Sequence, residues 1–490
     1  MNLPPPGFVP NPPPPAETAP RPVTQGIRSF VVQQGVLDLF LWAMLGIFAV
    51  QALMKASAWG VGWVALGAAV LVLKKNLFTN LSMTVEVPIF LYIFSYSVTT
   101  LYLADKLGSY DLVNDPKVNE AEWIALAGTA CFAAGLFWNL SKARAVGVLR
   151  RLPLTVTKKQ AIIIYVVGVI SNDVLLRFAP ISVWVIAFVF GLCAPIGLFI
   201  LMQLNMDAPV KWVGTWPFFL WLGAIIEWSI SSVLGGIFGS TLLILFMFMA
   251  HYTRKSSSML LIIVATGVIL APLMQDTKSD YRQKLAGGTL ATQNALENVV
   301  SENFKKVFLN GEMNAYSDGA TKLAERLCSF DIWLAVNRHM DINHDYAGGQ
   351  TIIDALVTAF IPRIFWPNKP ITGGSNELAE KYGDMVIAEG TSVGVGAIGE
   401  LYINGGTWAV LFGMLSLGCL AGFLLKKGYL DHVQPVSSLI ALAIFASFVR
   451  PEVNLSDLLG GVIRMIFLWL VLRAWVIHQN RRGPTRMASM

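Results

Sequence analysis

The chain has 490 residues, 55% of them hydrophobic and only 13% charged, against roughly a quarter charged in soluble domains. With a mean hydropathy of +0.60, this excludes an ordinary soluble protein and predicts an all-α polytopic membrane protein, one large helical bundle rather than several soluble domains. The net charge of +6 is no nucleic-acid signal, because most of the cations lie in short loops between apolar segments, where they orient a membrane chain.

The opening run MNLPPPGFVPNPPPPAETAPRP has no apolar stretch. Its prolines cannot continue a helix and favour extended polyproline conformation, so residues 1–35 are expected to form a disordered cytoplasmic tail without a cleavable signal peptide.

A membrane span takes about 20 mostly apolar residues. About twelve candidates follow: 36–54, 56–73, 86–104, 123–140, 160–176, 181–203, 212–232, 234–251, 258–274, 400–425, 435–449 and 457–478. The first nine occupy 36–274, the last three 400–478, and 479–490 form a second cytoplasmic tail. Alternate loops carry 18 Lys and Arg on one side and five on the other. The positive-inside rule then puts both termini in the cytoplasm.

The interval 275–399 falls on the outer side as one large periplasmic loop. It is too long for a plain connection, and it contains helical apolar spacing. VVSENFKKVFLN and ATKLAERLCSFDIWLAV both show it. TIIDALVTAFIPRIF places Ile352, Ile353, Leu356, Val357, Phe360, Ile361, Ile364 and Phe365 on one stripe. That helix suits either the membrane interface or the top of the bundle. Pro362 is expected to end or kink it.

Ionisable residues near the outer ends of spans mark a candidate cavity: Asp173, Arg177, Glu227, Glu400, Arg450, Glu452, Asp457 and Arg464. The same residues also suit structural ion pairs. In the outer loop, Arg282, Arg326, Arg338 and Arg363 can grip phosphate with two parallel bonds. Trp366, Tyr281 and Trp333 offer flat faces for sugar rings. Fifteen acids against 11 Lys and Arg in this loop leave internal pairing as the competing use of these arginines.

RHMDINHD at 338–345 carries two histidines and two aspartates, but no glycine bend or third histidine makes it a metal site. No metal and no cofactor are expected. The four cysteines, Cys131, Cys193, Cys328 and Cys419, form no CxxC. GVGAIG at 394–399 follows no parallel-strand pattern, so its glycines read as close-packing residues beside Glu400 rather than a dinucleotide fingerprint. No P-loop is present.

The run IPRIFWPNKP, followed by GTSVGVGAIGELYINGG, together with many spans and a large outer loop near the C-terminal third, resembles the bacterial oligosaccharide repeat-unit polymerases. These are the Wzy-like O-antigen, capsule and exopolysaccharide polymerases. The pairs Arg338–Gly349, Arg363–Gly374 and Arg450–Gly461 have a spacing that some members carry. The resemblance implies a glycosyltransferase of the bacterial inner membrane that uses no nucleotide sugar and works on its periplasmic side. A glycan on undecaprenyl diphosphate is transferred to a hydroxyl of a new lipid-linked repeat unit. Its partners are then polyprenyl-diphosphate-linked oligosaccharide and the lipid bilayer, with a chain-length regulator and a flippase as candidate protein partners and no nucleic acid.

Such chemistry needs cations for the leaving diphosphate. Arg363, Arg282 and Arg450 are the candidates, with Lys369, Arg338, Arg464 and Arg326 supporting and Trp366 stacking. It also needs a general base within hydrogen-bond reach. Glu400 is the first candidate, and Asp280 and His339 are the alternatives. Two rival classes share much of this pattern: other lipid-linked glycan transferases, including O-antigen ligases, and precursor flippases.

Overall fold

A computed structural model describes residues 24–55, 57–77, 82–108, 115–141, 156–175, 189–194, 196–197, 200–201, 313–360, 366, 375–387, 393–428, 448 and 450–482. Within these residues the protein is all-helical. The helices are α1 (Thr24–Met54), α2 (Ala58–Leu77), α3 (Ser82–Ile93), α4 (Thr99–Leu107), α5 (Pro116–Ser141) and α6 (Lys158–Val169). They continue with α7 (Met313–Leu327), α8 (Phe330–Asn343), α9 (Gln350–Phe360), α10 (Ser375–Gly383), α11 (Gly396–Gly428) and α12 (Leu455–Arg482). α1 begins well ahead of the first expected span.

The expectation of about twelve transmembrane helices does not stand. Among the described residues three helices are long and apolar enough to cross a membrane: Pro116–Leu140, Gly396–Leu425 and Leu455–Asn480. They mark the protein as membrane-associated. Asp38–Met54 and Ala58–Leu73 are apolar but shorter. The physical reason lies in what a hydropathy window counts. It adds apolar residues whether they face lipid or a protein core. At 86–104 the run is broken into α3, a π turn at Phe94–Val98 and α4. At 160–176 it is a 12-residue α6 followed by a π segment, Ile170–Leu175. The expected spans between 212 and 274, and most of 435–449, lie outside the described residues.

Local chemistry explains the helix ends. Asp115 accepts from the Lys117 amide at 2.8 Å and Pro116 opens α5, the favoured cap and first-turn residues. Thr157 and Gln160 form a reciprocal capping box at α6. α4 stops where Gly108 turns left-handed, φ 62. α9 ends at Phe360, ahead of Pro362.

The core of the molecule is the α5–α11 pair. A Cβ at Gly418 would collide with the Phe132 carbonyl oxygen, one at Gly135 with the Leu415 carbonyl, and one at Gly422 would sit 2.9 Å from the Leu136 carbonyl. The GCLAG stretch at 418–422 is thus a small-xxx-small seam, the arrangement that lets apolar helices touch backbone to backbone. Asn139 Nδ2 donates to the Cys419 carbonyl at 2.9 Å across it. Contact positions rise together along both helices, so α5 and the long part of α11 run parallel.

The π turn ties the first helices to the later ones. Its wider pitch frees carbonyls that the Thr99 and Thr100 hydroxyls take up, bonding Ser95 O at 2.9 Å and Tyr96 O at 2.7 Å. Ser95 O also accepts from the Ser329 amide at 3.1 Å. The α7–α8 turn is thereby pinned to the α3–α4 helix.

Candidate functional site

α11 is not continuous. Gly406 adopts φ 65, ψ −155, open in practice to glycine alone. The break at 405–406 divides α11 into a short arm, 396–404, and a long arm, 407–428. The short arm folds back on the long one, since a Cβ at Gly413 would meet the Leu401 side chain. The Ile403 carbonyl, which the break deprives of a helical partner, accepts from the Ala347 amide at 2.9 Å. Tyr346 lies over the break, 3.4 Å from a Cβ placed on Gly406.

Glu400 sits on the short arm and is fully buried. Oε1 accepts from the Thr351 hydroxyl of α9 at 3.0 Å. Oε2 accepts from the Ser456 amide at 3.1 Å and the Ser456 hydroxyl at 3.3 Å. Ser456 is in the first turn of α12, so the carboxylate caps that helix and meets the positive end of its dipole. Asn404, one turn below, donates through Nδ2 to Thr351 Oγ1 and to the Glu400 carbonyl, both at 2.7 Å. Three helices therefore converge on one carboxylate.

The glycines before Glu400 make that convergence possible. A Cβ at Gly394 would collide with the Glu452 carbonyl, and one at Gly396 would lie 2.5 Å from the Pro451 carbonyl. The GVGAIG run is thus used to press the short arm against the 450–456 turn.

A second buried carboxylate, Glu122 of α5, was not among the expected site residues. It is fully buried, and its Oε2 accepts from Trp63 Nε1 at 2.9 Å. Its Oε1 has no hydrogen-bond partner among the described residues. The signal was present in the sequence. Val118, Ala121, Ala125 and Thr129 share the buried stripe with Glu122, and the Asp115–Pro116 cap starts the helix before them.

Residues 89–451 match the family described as Domain of unknown function (DUF8712). The chain belongs to that family. No curated protein and no solved structure matches it. The matched region of this DUF8712 protein runs from α3 to the turn before α12, so it takes in Glu122, Thr351, Glu400 and Asn404 but not Ser456.

The remaining expected site residues of the DUF8712 chain lie apart from Glu400 or outside the described residues. Arg450 is in the turn that abuts the short arm, exposed, with Nε donating to Glu452 at 2.8 Å. Arg464 is two turns further along α12 and donates to the Gly460 carbonyl at 3.0 Å. Arg338 is on α8, bonded to Asp115 at the start of α5. Burial, opposed by the Lys117 and Val118 amides and by Arg338, leaves the Asp115 carboxyl below the usual range. His339 lies between Asp384, 2.7 Å from Nδ1, and Asp345, 3.5 Å from Nε2. Arg326 is exposed at the end of α7, and Trp366 is half-buried. Asp280, Arg282, Arg363 and Lys369 lie outside the described residues. No group of three or more His, Cys, Asp or Glu suited to a metal ion occurs among the described residues.

Proposed function

We propose that the protein is a glycosyltransferase of the membrane that polymerises polyprenyl-diphosphate-linked oligosaccharide repeat units into a surface polysaccharide. The observation that carries this reading is Glu400. It is a buried carboxylate on a short helical arm, already bonded to hydroxyl groups, at the end of the bundle where the resemblance to repeat-unit polymerases is strongest.

In this reaction the Glu400 carboxylate takes the proton of the acceptor hydroxyl. The acceptor oxygen forms a bond to the anomeric carbon of the donor glycan. The bond from that carbon to the diphosphate oxygen breaks, and the lipid diphosphate leaves with the electron pair. Cations stabilise the charge that develops there. Arg363, Arg282 and Lys369, with Arg450 beside the Glu400 arm, are assigned to that task. The place of reaction in this reading is the outer face of a bacterial inner membrane, as the resemblance to repeat-unit polymerases implies, with the chain multi-pass and both termini cytoplasmic.

Glu400→Gln keeps the size and an acceptor oxygen but removes the base. Cells carrying it are expected to lose long-chain polymer while the protein reaches the membrane at the wild-type level. An unchanged polymer ladder on a gel rejects the assignment.

A second reading, a carrier for the lipid-linked precursor, is favoured by the break in α11, since interrupted helices are typical of transporter sites. The two readings differ in where repeat units collect when the protein is deleted. A carrier leaves them on the inner leaflet, a polymerase on the outer one.

A further inference from the structure

The Thr351 hydroxyl makes two bonds of opposite sense. It donates to Glu400 Oε1 and accepts from Asn404 Nδ2. A sugar hydroxyl at a general base needs the same pair, with its proton aimed at the carboxylate and its oxygen held by a donor. We propose that Thr351 occupies the place of the acceptor hydroxyl, and that α9 withdraws so that a carbohydrate hydroxyl binds between Glu400 and Asn404. The inference rests on the polymerase reading and names the acceptor subsite within it.

Three observations support it. Glu400 is fully buried, so no acceptor reaches it while α9 is in place. α9 is joined to α8 through Gly348 and Gly349, both left-handed at φ 59 and φ 91, with open space where a Cβ would be. One face of α9 packs along α12, while Ile353 and Val357 on the other are exposed. Withdrawal of α9 thus breaks its packing on α12 and lifts Ile352 off the core, while its outer face has no contact to lose among the described residues.

The third observation is a set of buried polar atoms with no partner. Asn404 Oδ1, Asn454 Oδ1 and Asn454 Nδ2 have no hydrogen-bond partner among the described residues. Asn404 is 7% exposed and Asn454 1%. Asn454 immediately precedes α12 yet leaves the capping of that helix to Glu400. Buried amides are ordinarily paired, and an amide offers both a donor and an acceptor, as neighbouring sugar hydroxyls do. Asn404 is bonded to Glu400, and Asn454 stands two residues before Ser456, which bonds the same carboxylate. The amides offer donors and acceptors to a neutral polyol, and the carboxylate disfavours an anion beside it. The arginines of this end, Arg450 and Arg464, bond Glu452 and the Gly460 carbonyl.

The test uses membranes containing the full chain and lipid-linked repeat units extracted from a strain that lacks it. Polymer formation is followed as the repeat-unit concentration is raised. Thr351→Val keeps the shape and removes the competing hydroxyl. It is expected to lower the half-saturating concentration at least threefold without lowering the maximal rate. Asn404→Leu and Asn454→Leu are expected to raise it at least tenfold; thermal unfolding in detergent stays at or above the wild-type temperature for Asn454→Leu, whose side chain has no bond to lose among the described residues, and falls for Asn404→Leu, which loses two. A purely structural role predicts a half-saturating concentration unmoved in all three, and that result overturns the inference. If wild-type membranes form no polymer from this lipid, the polymerase reading itself fails, and the subsite with it.

Discussion

Glu400 shows what one residue does in two roles. Its carboxylate holds α12 by capping Ser456, and its other oxygen faces the hydroxyl that α9 supplies. Such a group stays conformationally fixed without a cation beside it, because the bonds come from amide and hydroxyl donors. At the same scale Asp331, in the first turn of α8, is pushed up to about 6 by burial, from an ordinary 3.8. A carboxyl raised in the folded state binds its proton more tightly there than in the unfolded chain. Its contribution is fully present below pH 3.8 and is lost as pH rises through about 6. Unfolding in detergent should therefore show stability falling across that window, by at most about 1.4 kcal/mol per pH unit from this group. Asp331→Asn should remove that slope and raise stability at neutral pH. A slope unchanged in the variant contradicts the assignment.

Sequence reasoning reached Glu400 from its place at an apolar boundary after a glycine-rich run. It could not reach Thr351 and Ser456, which lie 49 and 56 residues away along the chain. Glu122 was lost because the span was drawn from residue 123, past the polar first turn of α5, where Lys117 and Glu120 lower the hydropathy. Arg338 was legible as a cation, but not as the partner of Asp115, which lies outside the loop in which its acids were counted.

At the scale of elements, the α5–α11 seam and the break in α11 carry the strongest consequences. Gly418→Val places a branched side chain against the Phe132 carbonyl and should cost roughly 1–3 kcal/mol or more. Gly46→Ala in α1, where a Cβ meets nothing within 4 Å, should instead stabilise by roughly 0.5–1 kcal/mol. Parallel unfolding measurements compare the two, and equal effects contradict the packing account. Gly406→Ala forces a side chain into φ 65, ψ −155, at a cost on the order of 1–3 kcal/mol. Because the break aims Glu400, the variant should lose polymer well before it loses fold. The sequence displays both glycine pairs, but only the backbone tells a packing seam, 418–422, from a reversal, 405–406. Hydropathy read the reversal as one straight span at 400–425, since both arms are apolar.

At the scale of the whole molecule, helicity and membrane association were legible in composition, and the number of crossings was not. Burial makes core helices as apolar as lipid-facing ones. The three long helices carry outward aromatic and aliphatic groups instead: Trp123 and Trp138 on α5, Trp408 and Phe412 on α11, Phe467 and Leu470 on α12. The site end gathers the start of α5, the α11 break, the start of α12, and α8 through α9.

The central claim is that this end polymerises lipid-linked repeat units, and the lipid-linked saccharides of a deletion strain test it most directly. Extracted and sized, they should consist of single repeat units accumulated on the outer leaflet, with long polymer absent and restored by the wild-type chain but not by Glu400→Gln. A deletion strain whose lipid-linked saccharides and polymer lengths match the wild type would contradict the account.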